Sequence, residues 1–215
     1  MQAPMSYLAL GDSYTIGEGV ESAARWPMQL AAALRADGEV IDDPRIIART
    51  GWTTDELSAA IDTAAAPLGD DYGLVTLLIG VNNQYRGRDV DEYAHEFAVL
   101  LERAIGFSGR RADRVVMLAI PDWGVTPFAA QSGRDASAIA RELDAYNAAA
   151  AKICARRGVA FVDIAAVSRE RGAEPAMLAD DGLHPSAAMY AEWTRLALPV
   201  VRRLLVQTNP QTHAQ

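Results

Sequence analysis

Five short, unbroken apolar runs separated by longer amphipathic segments are the feature of this 215-residue sequence that most restricts its fold. The runs cover residues 6–10, 45–48, 74–79, 114–120 and 159–162, and the amphipathic segments cover residues 22–36, 54–65, 89–106, 136–157 and 186–206. Such runs predict strands that are buried on both faces, and the segments between them predict helices. Because neighbouring parallel strands need crossover connections, the alternation predicts an α/β fold with a parallel sheet covered by helices on both sides.

The composition excludes several classes of partner. Lys and Arg number 20 against 28 Asp and Glu, which gives a formal net charge of −8. Binding to nucleic-acid phosphates or to anionic lipid headgroups requires clustered positive charge, which such an acidic chain lacks. The hydrophobic fraction of 50% and the charged fraction of 22% are ordinary for a globular protein. We expect one domain over residues 1–206, a flexible tail over residues 207–215, and a small-molecule partner rather than a nucleic acid.

Cysteine usage and the lengths of the apolar stretches bear on location. Cys154 is the only cysteine, so we interpret it as a core residue and expect no intramolecular disulfide. Residues 1–10 show neither the basic segment nor the cleavage pattern of a signal peptide. The longest apolar stretches, residues 74–81 and 115–121, are much shorter than the ~20 residues that a membrane-spanning helix needs. We therefore expect a cytoplasmic protein without integral membrane association.

Ser13 follows the first predicted strand within the sequence Gly-Asp-Ser-Tyr, so its hydroxyl would lie at the carboxyl end of a strand. Ligands of open parallel sheets bind beyond these strand ends. The segments expected at that edge are residues 11–19, 49–54, 80–89, 121–134 and 180–185. Asp12 and Ser13 are also residue types that cap helices, so this segment alone does not separate capping from catalysis.

His184 offers a partner for such a serine, because it is the histidine among three that lies on a predicted loop outside the tail. Asp181 lies three residues earlier, and its carboxylate could accept a hydrogen bond from the imidazole and fix its tautomer. An isolated Asp-x-x-His is most often a simple turn. Together with Ser13 at the same sheet edge, it predicts a serine nucleophile activated by a histidine.

A serine nucleophile also needs hydrogen-bond donors for the oxyanion that it creates. Residues 80–83 follow the third predicted strand and offer a side-chain amide, and Gly51 offers a backbone N–H that a substrate can approach closely. Glycine and asparagine are also ordinary turn residues. Only their combination with the serine and the histidine indicates an oxyanion hole.

Over residues 10–193, these motifs and their order resemble those of the SGNH hydrolases, also called GDSL-type esterases and lipases. The resemblance implies that Ser13 is the catalytic serine and that His184 and Asp181 complete the triad. It also implies an oxyanion hole made of the Ser13 N–H, the Gly51 N–H and the Asn82 side-chain amide. The fold that it implies is a three-layer α/β/α sandwich with a doubly wound, five-stranded parallel sheet in flavodoxin-like order.

The sequence departs from the family pattern at two positions. Tyr14 stands where the family's short name has leucine, and Asn83 stands where an aspartate commonly follows the oxyanion asparagine. Both changes leave the reaction class intact, although an uncharged Asn83 would alter the strength of a contact behind the site. Other chemistry is not indicated, since the sequence contains no Gly-x-Ser-x-Gly elbow, no phosphate-binding loop and no His/Cys cluster at metal-ligand spacing.

The sequence therefore predicts a serine esterase that forms an acyl-enzyme intermediate and needs neither a metal nor a cofactor. Four aromatic residues on the same segments are expected to wall the substrate pocket, namely Trp52, Tyr85, Trp123 and Phe128. We expect short-chain carboxylic esters as substrates, because no membrane-binding stretch or long inserted lid is evident.

Two kinds of alternative are also compatible with the sequence. Within the family, the activity could be that of a lysophospholipase, a thioesterase or a carbohydrate acetylesterase. Outside it, a catalytically silent binding module would keep the pocket without turnover, and a flavin or nucleotide binder would share the same kind of sheet.

Overall fold

A five-stranded parallel sheet forms the centre of the computed structural model, which describes residues 3–208. Its strands are β1 (Tyr7–Gly11), β2 (Arg45–Ala48), β3 (Leu74–Leu78), β4 (Val115–Leu118) and β5 (Ala160–Val162). They pair in the order β2-β1-β3-β4-β5, and every pairing is parallel. This is the flavodoxin-like order, so the predicted fold class is confirmed.

Helices cover both faces of this sheet. In the described part of the chain they are α1 (Ser13–Ile16), α2 (Trp26–Ala36), α3 (Thr54–Asp62), α4 (Val81–Tyr85), α5 (Val90–Phe107), α6 (Pro127–Ser132), α7 (Ala136–Arg157), α8 (Ala165–Arg171) and α9 (Ala187–Thr208). Helices α2 and α9 pack against each other, and α5 packs against both α3 and α7. The sheet is therefore the middle layer of an α/β/α sandwich.

Burial along the strands explains why apolar runs predict them. Every residue of β1, β3 and β4 is buried, because helices cover both faces of these central strands. The edge strand β2 is only partly buried throughout its length. Cys154 lies buried on α7, and burial raises the pKa of its thiol to about 12. Its thiol therefore stays protonated at neutral pH and behaves as a small apolar core group.

The predicted helix over residues 22–36 is divided in the structure. Ser22–Ala24 form a 3-10 turn, Arg25 is extended with φ of −62° and ψ of 140°, and α2 begins at Trp26. Pro27 lies in the first turn of α2, where its missing N–H removes no intrahelical hydrogen bond. A proline in this position marks a helix start, so the helix begins later than its amphipathic pattern suggests.

Other element boundaries also differ from the prediction. The helix predicted over residues 54–65 ends at Asp62, and α9 continues past the expected domain end at residue 206 to Thr208. Helices α1, α4, α6 and α8 are four to seven residues long, too short for a periodic pattern to reveal them. Residues 209–215 of the predicted tail lie outside the described residues, and the division into one domain and a tail stays a prediction.

The strand order determines where a ligand can bind. Strand β1 lies between β2 and β3, and Gly11 at its end pairs with Ala48 of β2 and Leu78 of β3. The carboxyl ends of these three strands therefore lie side by side, at the point where the order of the strands reverses. The segments that follow the three strands carry the predicted serine, glycine and asparagine.

Candidate active site

A cavity of about 210 Å³ opens at this edge of the sheet. It is lined by Ser13, Tyr14, Thr50, Gly51, Val81, Asn82, Tyr85, Trp123, Phe128, Leu183 and His184. The predicted serine, histidine, glycine and asparagine thus share one cavity, although four separate segments of the chain supply them. Most of the remaining lining residues are aromatic or aliphatic.

Ser13 stands where β1 turns directly into α1. A side chain at Gly11 would place its Cβ 2.2 Å from the hydroxyl oxygen of Thr15, so this tight turn requires glycine. Asp12 caps the helix, because its Oδ1 accepts a hydrogen bond of 3.0 Å from the Tyr14 N–H. Capping and lining of the cavity therefore fall on different residues: Asp12 caps α1, and Ser13 lines the cavity.

Asp181 and His184 form a closed hydrogen-bonded turn before α9. Gly182 has φ of 68°, a left-handed conformation that glycine adopts without strain. Oδ1 of Asp181 accepts hydrogen bonds of 2.9 Å from the N–H groups of Leu183 and His184. Its Oδ2 lies 2.5 Å from Nδ1 of the His184 imidazole. Both carboxylate oxygens are thus used, and one of them orients the imidazole.

The hydrogen bonds around Asp181 also decide its charge. Burial alone would raise the pKa of Asp181, but hydrogen bonds from the imidazole and from two backbone N–H groups outweigh it and lower the pKa below its ordinary value. The carboxylate is therefore ionised at neutral pH. It accepts a hydrogen bond from Nδ1 of His184, which carries the proton. This tautomer leaves Nε2 of the imidazole as the basic nitrogen.

The Ser13 hydroxyl and the His184 imidazole line the same cavity. Among the hydrogen bonds of residues 3–208, none joins these two groups. Catalytic hydrogen bonds are often loose in a free enzyme and tighten when the substrate binds. The Tyr14 ring packs edge-on against the imidazole, with centroids 5.9 Å apart, and so restricts the movement of His184.

Three hydrogen-bond donors lie at the cavity and can receive a negatively charged oxygen. Within the described residues, the backbone N–H groups of Ser13 and Gly51 have no acceptor. Gly51 has φ of 88°, and its carbonyl accepts a hydrogen bond of 2.7 Å from the Arg86 guanidinium. The Asn82 amide donates one N–H to the Trp52 carbonyl at 2.8 Å and retains a second N–H. Such an arrangement suits the stabilisation of an oxyanion.

A family model confirms the relationship that these residues indicate. The model of the GDSL-like lipase/acylhydrolase family matches residues 9–192. The chain belongs to this family. The assignment made from the sequence is confirmed, and the chain is an enzyme that hydrolyses ester bonds.

Solved structures of several other proteins share the fold of this GDSL-like hydrolase. TesA is 20% identical with a TM-score of 0.67, over 93% of this chain and 99% of TesA. Axe2, an acetylxylan esterase from Geobacillus stearothermophilus, is 20% identical with a TM-score of 0.68, over 92% and 94% of the two chains. The lipase/acylhydrolase from Enterococcus faecalis is 18% identical with a TM-score of 0.65, over 94% and 96%. No curated protein matches the sequence.

Asn83 lies next to Asn82 in sequence but faces the protein interior. It is fully buried, and its Oδ1 accepts a hydrogen bond of 3.1 Å from the Thr54 N–H. Its amide donates to the Thr54 hydroxyl at 2.7 Å and lies 3.4 Å from a carboxylate oxygen of Glu96. Asn83 therefore joins α4 to α3 and α5 behind the site, whereas Asn82 lines the cavity.

Three of the four aromatic residues expected to wall the cavity lie there. The Tyr85 and Trp123 ring centroids are 5.4 Å apart, and those of Trp123 and Phe128 are 6.2 Å apart. Trp52 is not among the described residues that line the cavity, which corrects our expectation. Its side chain packs, partly buried, against the core, and only its carbonyl approaches the site through Asn82.

Sequence reasoning missed several residues of this cavity. Tyr14, Thr50, Val81 and Leu183 line it, and each directly adjoins a residue that was predicted. Adjacency to a predicted residue on the same strand-end segment is the signal that could have identified them. It would not have told which neighbours face the cavity, because the direction of a side chain in a tight turn depends on the backbone conformation.

Asp12 is a further missed feature, since it is a fully buried carboxylate directly beside Ser13. Burial raises its pKa from 3.8 to about 7, although the Tyr14 N–H donates to Oδ1 and opposes this shift. Its Oδ2 has no hydrogen-bond partner among the described residues. Asp12 therefore exchanges a proton near neutral pH, unlike Asp181.

Between residues 3 and 208, no three His, Cys, Asp or Glu side chains are grouped so that they could hold a metal ion. In the same range, no helix has the length and apolar character that crossing a bilayer requires.

Proposed function

We propose that this GDSL-like hydrolase is a serine esterase in which Ser13 is the nucleophile, His184 is the general base and Asp181 orients the imidazole. The observation that carries the proposal is the 2.5 Å contact between Asp181 and His184 at the cavity that Ser13 lines. An ionised carboxylate on Nδ1 makes Nε2 basic and stabilises the imidazolium that forms when the serine loses its proton.

In the first half-reaction, the Ser13 hydroxyl oxygen attacks the ester carbonyl carbon while Nε2 of His184 takes the hydroxyl proton. The tetrahedral oxyanion accepts hydrogen bonds from the Ser13 N–H, the Gly51 N–H and the Asn82 amide. The bond to the alcohol oxygen then breaks, and the imidazolium returns its proton to the leaving alcohol. The acyl group remains on the serine oxygen.

In the second half-reaction, water attacks the acyl-enzyme and gives a proton to His184. The same three donors stabilise the second oxyanion. The bond to the Ser13 oxygen then breaks, and the imidazolium protonates that oxygen. One ester and one water thus yield one carboxylic acid and one alcohol, and every proton transfer uses the same imidazole.

We further propose short-chain carboxylic esters as the substrates. The cavity volume of about 210 Å³ lies below the roughly 300–1,000 Å³ of pockets that hold drug-sized ligands. Its aromatic wall of Tyr85, Trp123 and Phe128 favours a small apolar acyl group. An acetyl ester of a carbohydrate would also satisfy this limit, and Axe2 is an acetylxylan esterase. The cytoplasmic location expected from the sequence stays a prediction.

Labelling with a fluorophosphonate tests the assignment of the nucleophile. We expect the probe to modify Ser13 and no other serine, because only a serine activated by a base reacts readily. Ser13→Ala should abolish both labelling and hydrolysis of p-nitrophenyl acetate. Ser22→Ala, which changes an exposed serine outside the cavity, is the matched control and should retain both. Labelling of another serine, or undiminished hydrolysis by Ser13→Ala, would overturn the assignment.

A series of p-nitrophenyl esters tests the substrate class. We expect kcat/KM to be highest between acetyl and butyryl esters and to fall toward palmitoyl esters. A steady rise up to long acyl chains would favour a lysophospholipase or thioesterase instead. A folded chain that binds esters but hydrolyses none of them would favour a silent binding module.

A further inference from the structure

A second cavity, of about 380 Å³, is lined by residues that contact the aromatic wall of the first. Tyr85 and Trp123 line the first cavity, whereas Gln84 and Arg134 line the second. Glu142 of α7 also lines the second cavity. The first cavity is mainly apolar, whereas the second is rich in charged side chains.

Arg134 lies against the faces of both aromatic rings. Its guanidinium carbon is 5.1 Å from the centroid of Trp123 and 5.7 Å from that of Tyr85. The same guanidinium donates hydrogen bonds of 3.2 Å to the Tyr85 carbonyl and to a carboxylate oxygen of Glu142. Cation–π contacts and hydrogen bonds therefore join Arg134 to Tyr85, Trp123 and Glu142, which lie on three different segments of the chain.

Gln84 holds the other side of the indole. It is buried, and its Oε1 accepts a hydrogen bond of 2.8 Å from the Trp123 indole N–H. Its amide nitrogen donates to the Glu142 carboxylate oxygen that Arg134 also uses, at 2.5 Å. Glu142 is thus the common acceptor of a network that fixes Trp123 by both its edge and its face.

We propose that Arg134 is a positioning residue that determines acyl-chain length, because with Glu142 it holds Tyr85 and Trp123 as the closed end of the acyl pocket. This inference rests on the proposed esterase function. A planar guanidinium can stack on aromatic rings and donate in two directions at once, which an ammonium group on a flexible stem does not reproduce. Without Arg134, the rings lose one of their supports and the apolar cavity can extend toward the second cavity.

Arg134→Met tests this role, because methionine is apolar, carries no charge and cannot make the two hydrogen bonds. We expect the ratio of kcat/KM for p-nitrophenyl octanoate to that for p-nitrophenyl acetate to rise about tenfold. A rise of this size is what the burial of one or two additional methylene groups would supply. It should come mainly from a lower KM for the octanoyl ester. Arg134→Lys, which keeps the charge but not the planar fork, should give a smaller rise.

Arg157→Met is the matched control. Arg157 forms an exposed ion pair with Glu102 at the far end of α7, so its loss should leave the ratio at the wild-type value. An unchanged ratio in folded Arg134→Met, or an equal loss for all esters, would overturn the inference. The second result would mean that Arg134 only maintains the fold.

Binding of sodium octanoate separates this inference from the esterase proposal. The titration uses Ser13→Ala protein with and without Arg134→Met, so it needs no turnover. We expect the Arg134 variant to bind octanoate about tenfold more tightly, and equal affinities would contradict the inference even if every ester is hydrolysed. Absence of hydrolysis together with tighter octanoate binding would contradict the esterase proposal alone.

Discussion

Two aspartates flank the candidate nucleophile, and their surroundings shift their pKa values in opposite directions. Asp12, directly before Ser13, is fully buried, and burial raises its pKa from 3.8 to about 7. Asp181 reaches the site through His184, and its side chain is 43% exposed. Hydrogen bonds from the imidazole and two backbone N–H groups outweigh the effect of burial and lower its pKa. The same functional group is therefore near its midpoint in one place and fully ionised in the other at neutral pH.

The contrast shows that hydrogen bonds to the charged form, not proximity to the nucleophile, decide what a carboxylate can do. Asp181 offers a stable negative charge to an imidazole that becomes positive during the reaction. The hydrogen bonds that Asp12 accepts from backbone N–H groups, that of Tyr14 among them, do not offset the effect of burial on its pKa. Its contribution is the cap that starts α1 and places Ser13.

Asp181→Asn should give the largest loss. The amide retains an oxygen for the N–H groups of Leu183 and His184, so the turn should persist. Its NH2 group, however, would face Nδ1 of the imidazole and favour the wrong tautomer. We expect kcat to fall on the order of 10⁴-fold with little change in KM. Steady-state kinetics with p-nitrophenyl acetate measure the effect.

The control for this variant is Asp180→Asn, which changes the exposed neighbouring carboxylate. Its kcat should stay within about twofold of the wild-type value, or about 0.4 kcal/mol of activation free energy, because Asp180 is exposed and does not line the cavity. Equal losses for the two variants would remove the special role of Asp181. A folded Asp181→Asn with wild-type kcat would do the same.

Asp12→Asn should change stability with a defined dependence on pH. The pKa of Asp12 is higher in the folded state than in the unfolded state, so its stabilising effect is complete below pH 3.8 and is lost as the pH rises to about 7. Since one pKa unit corresponds to about 1.4 kcal/mol, ionisation costs the folded state on the order of 4 kcal/mol above that range. The variant removes this cost.

Urea unfolding of wild type and Asp12→Asn at pH 4.5 and pH 8.5 measures the effect. Asparagine keeps the acceptor for the Tyr14 N–H but buries an amide nitrogen, a penalty that is the same at both pH values. The change in stability caused by the substitution should therefore be more favourable at pH 8.5 than at pH 4.5. Equal changes at the two pH values would show that the wild-type carboxyl does not titrate in this range.

The fold could be predicted from the sequence because its signal is local. Strands β1, β3 and β4 are covered on both faces, so each of them reads as an unbroken apolar run. The order of the strands in the sheet, by contrast, could not be predicted from periodicity. It was predicted from the resemblance of the motifs to those of a known family. Short helices such as α1 could not be predicted, because a single helical turn is too short to show a periodic pattern of apolar residues.

The site was predictable where a residue stands at a strand end and has a chemically specific partner. Ser13 satisfies both conditions, and His184, on the segment before α9, satisfies the second. Trp52 follows the end of β2 but has no such partner, and its side chain packs, partly buried, against the core. Arg134 could not be predicted, because its role depends on two ring faces and a carboxylate whose relative positions are set by the tertiary fold.

Asn82 and Asn83, like the two aspartates, carry the same functional group in different surroundings: Asn82 lines the cavity and Asn83 is buried behind it. Asn82→Ala removes a candidate oxyanion donor and should lower kcat by ~10²–10³ with little change in KM. The loss includes the hydrogen bond to the Trp52 carbonyl, which holds the Gly51 segment. Circular dichroism should show an intact fold. A folded Asn82→Ala enzyme with wild-type kcat would exclude the amide from the oxyanion hole.

Asn83→Asp should have the smallest effect on turnover and a larger one on stability. The new carboxylate can still accept from the Thr54 N–H, but it cannot donate to the Thr54 hydroxyl, and it would lie close to the carboxylate of Glu96. Loss of a buried donor and added like charge should cost about 1–3 kcal/mol of stability. Because the side-chain hydrogen bonds of Asn83 among the described residues go to Thr54 and Glu96, which do not line the cavity, kcat should change by less than about tenfold, or 1.4 kcal/mol. Pairing this variant with Glu96→Gln removes the like charge and should restore most of the stability while leaving kcat unchanged.

A selective collapse of kcat in folded Asn83→Asp, without a comparable loss in Asn82→Ala, would instead assign the oxyanion donor to Asn83.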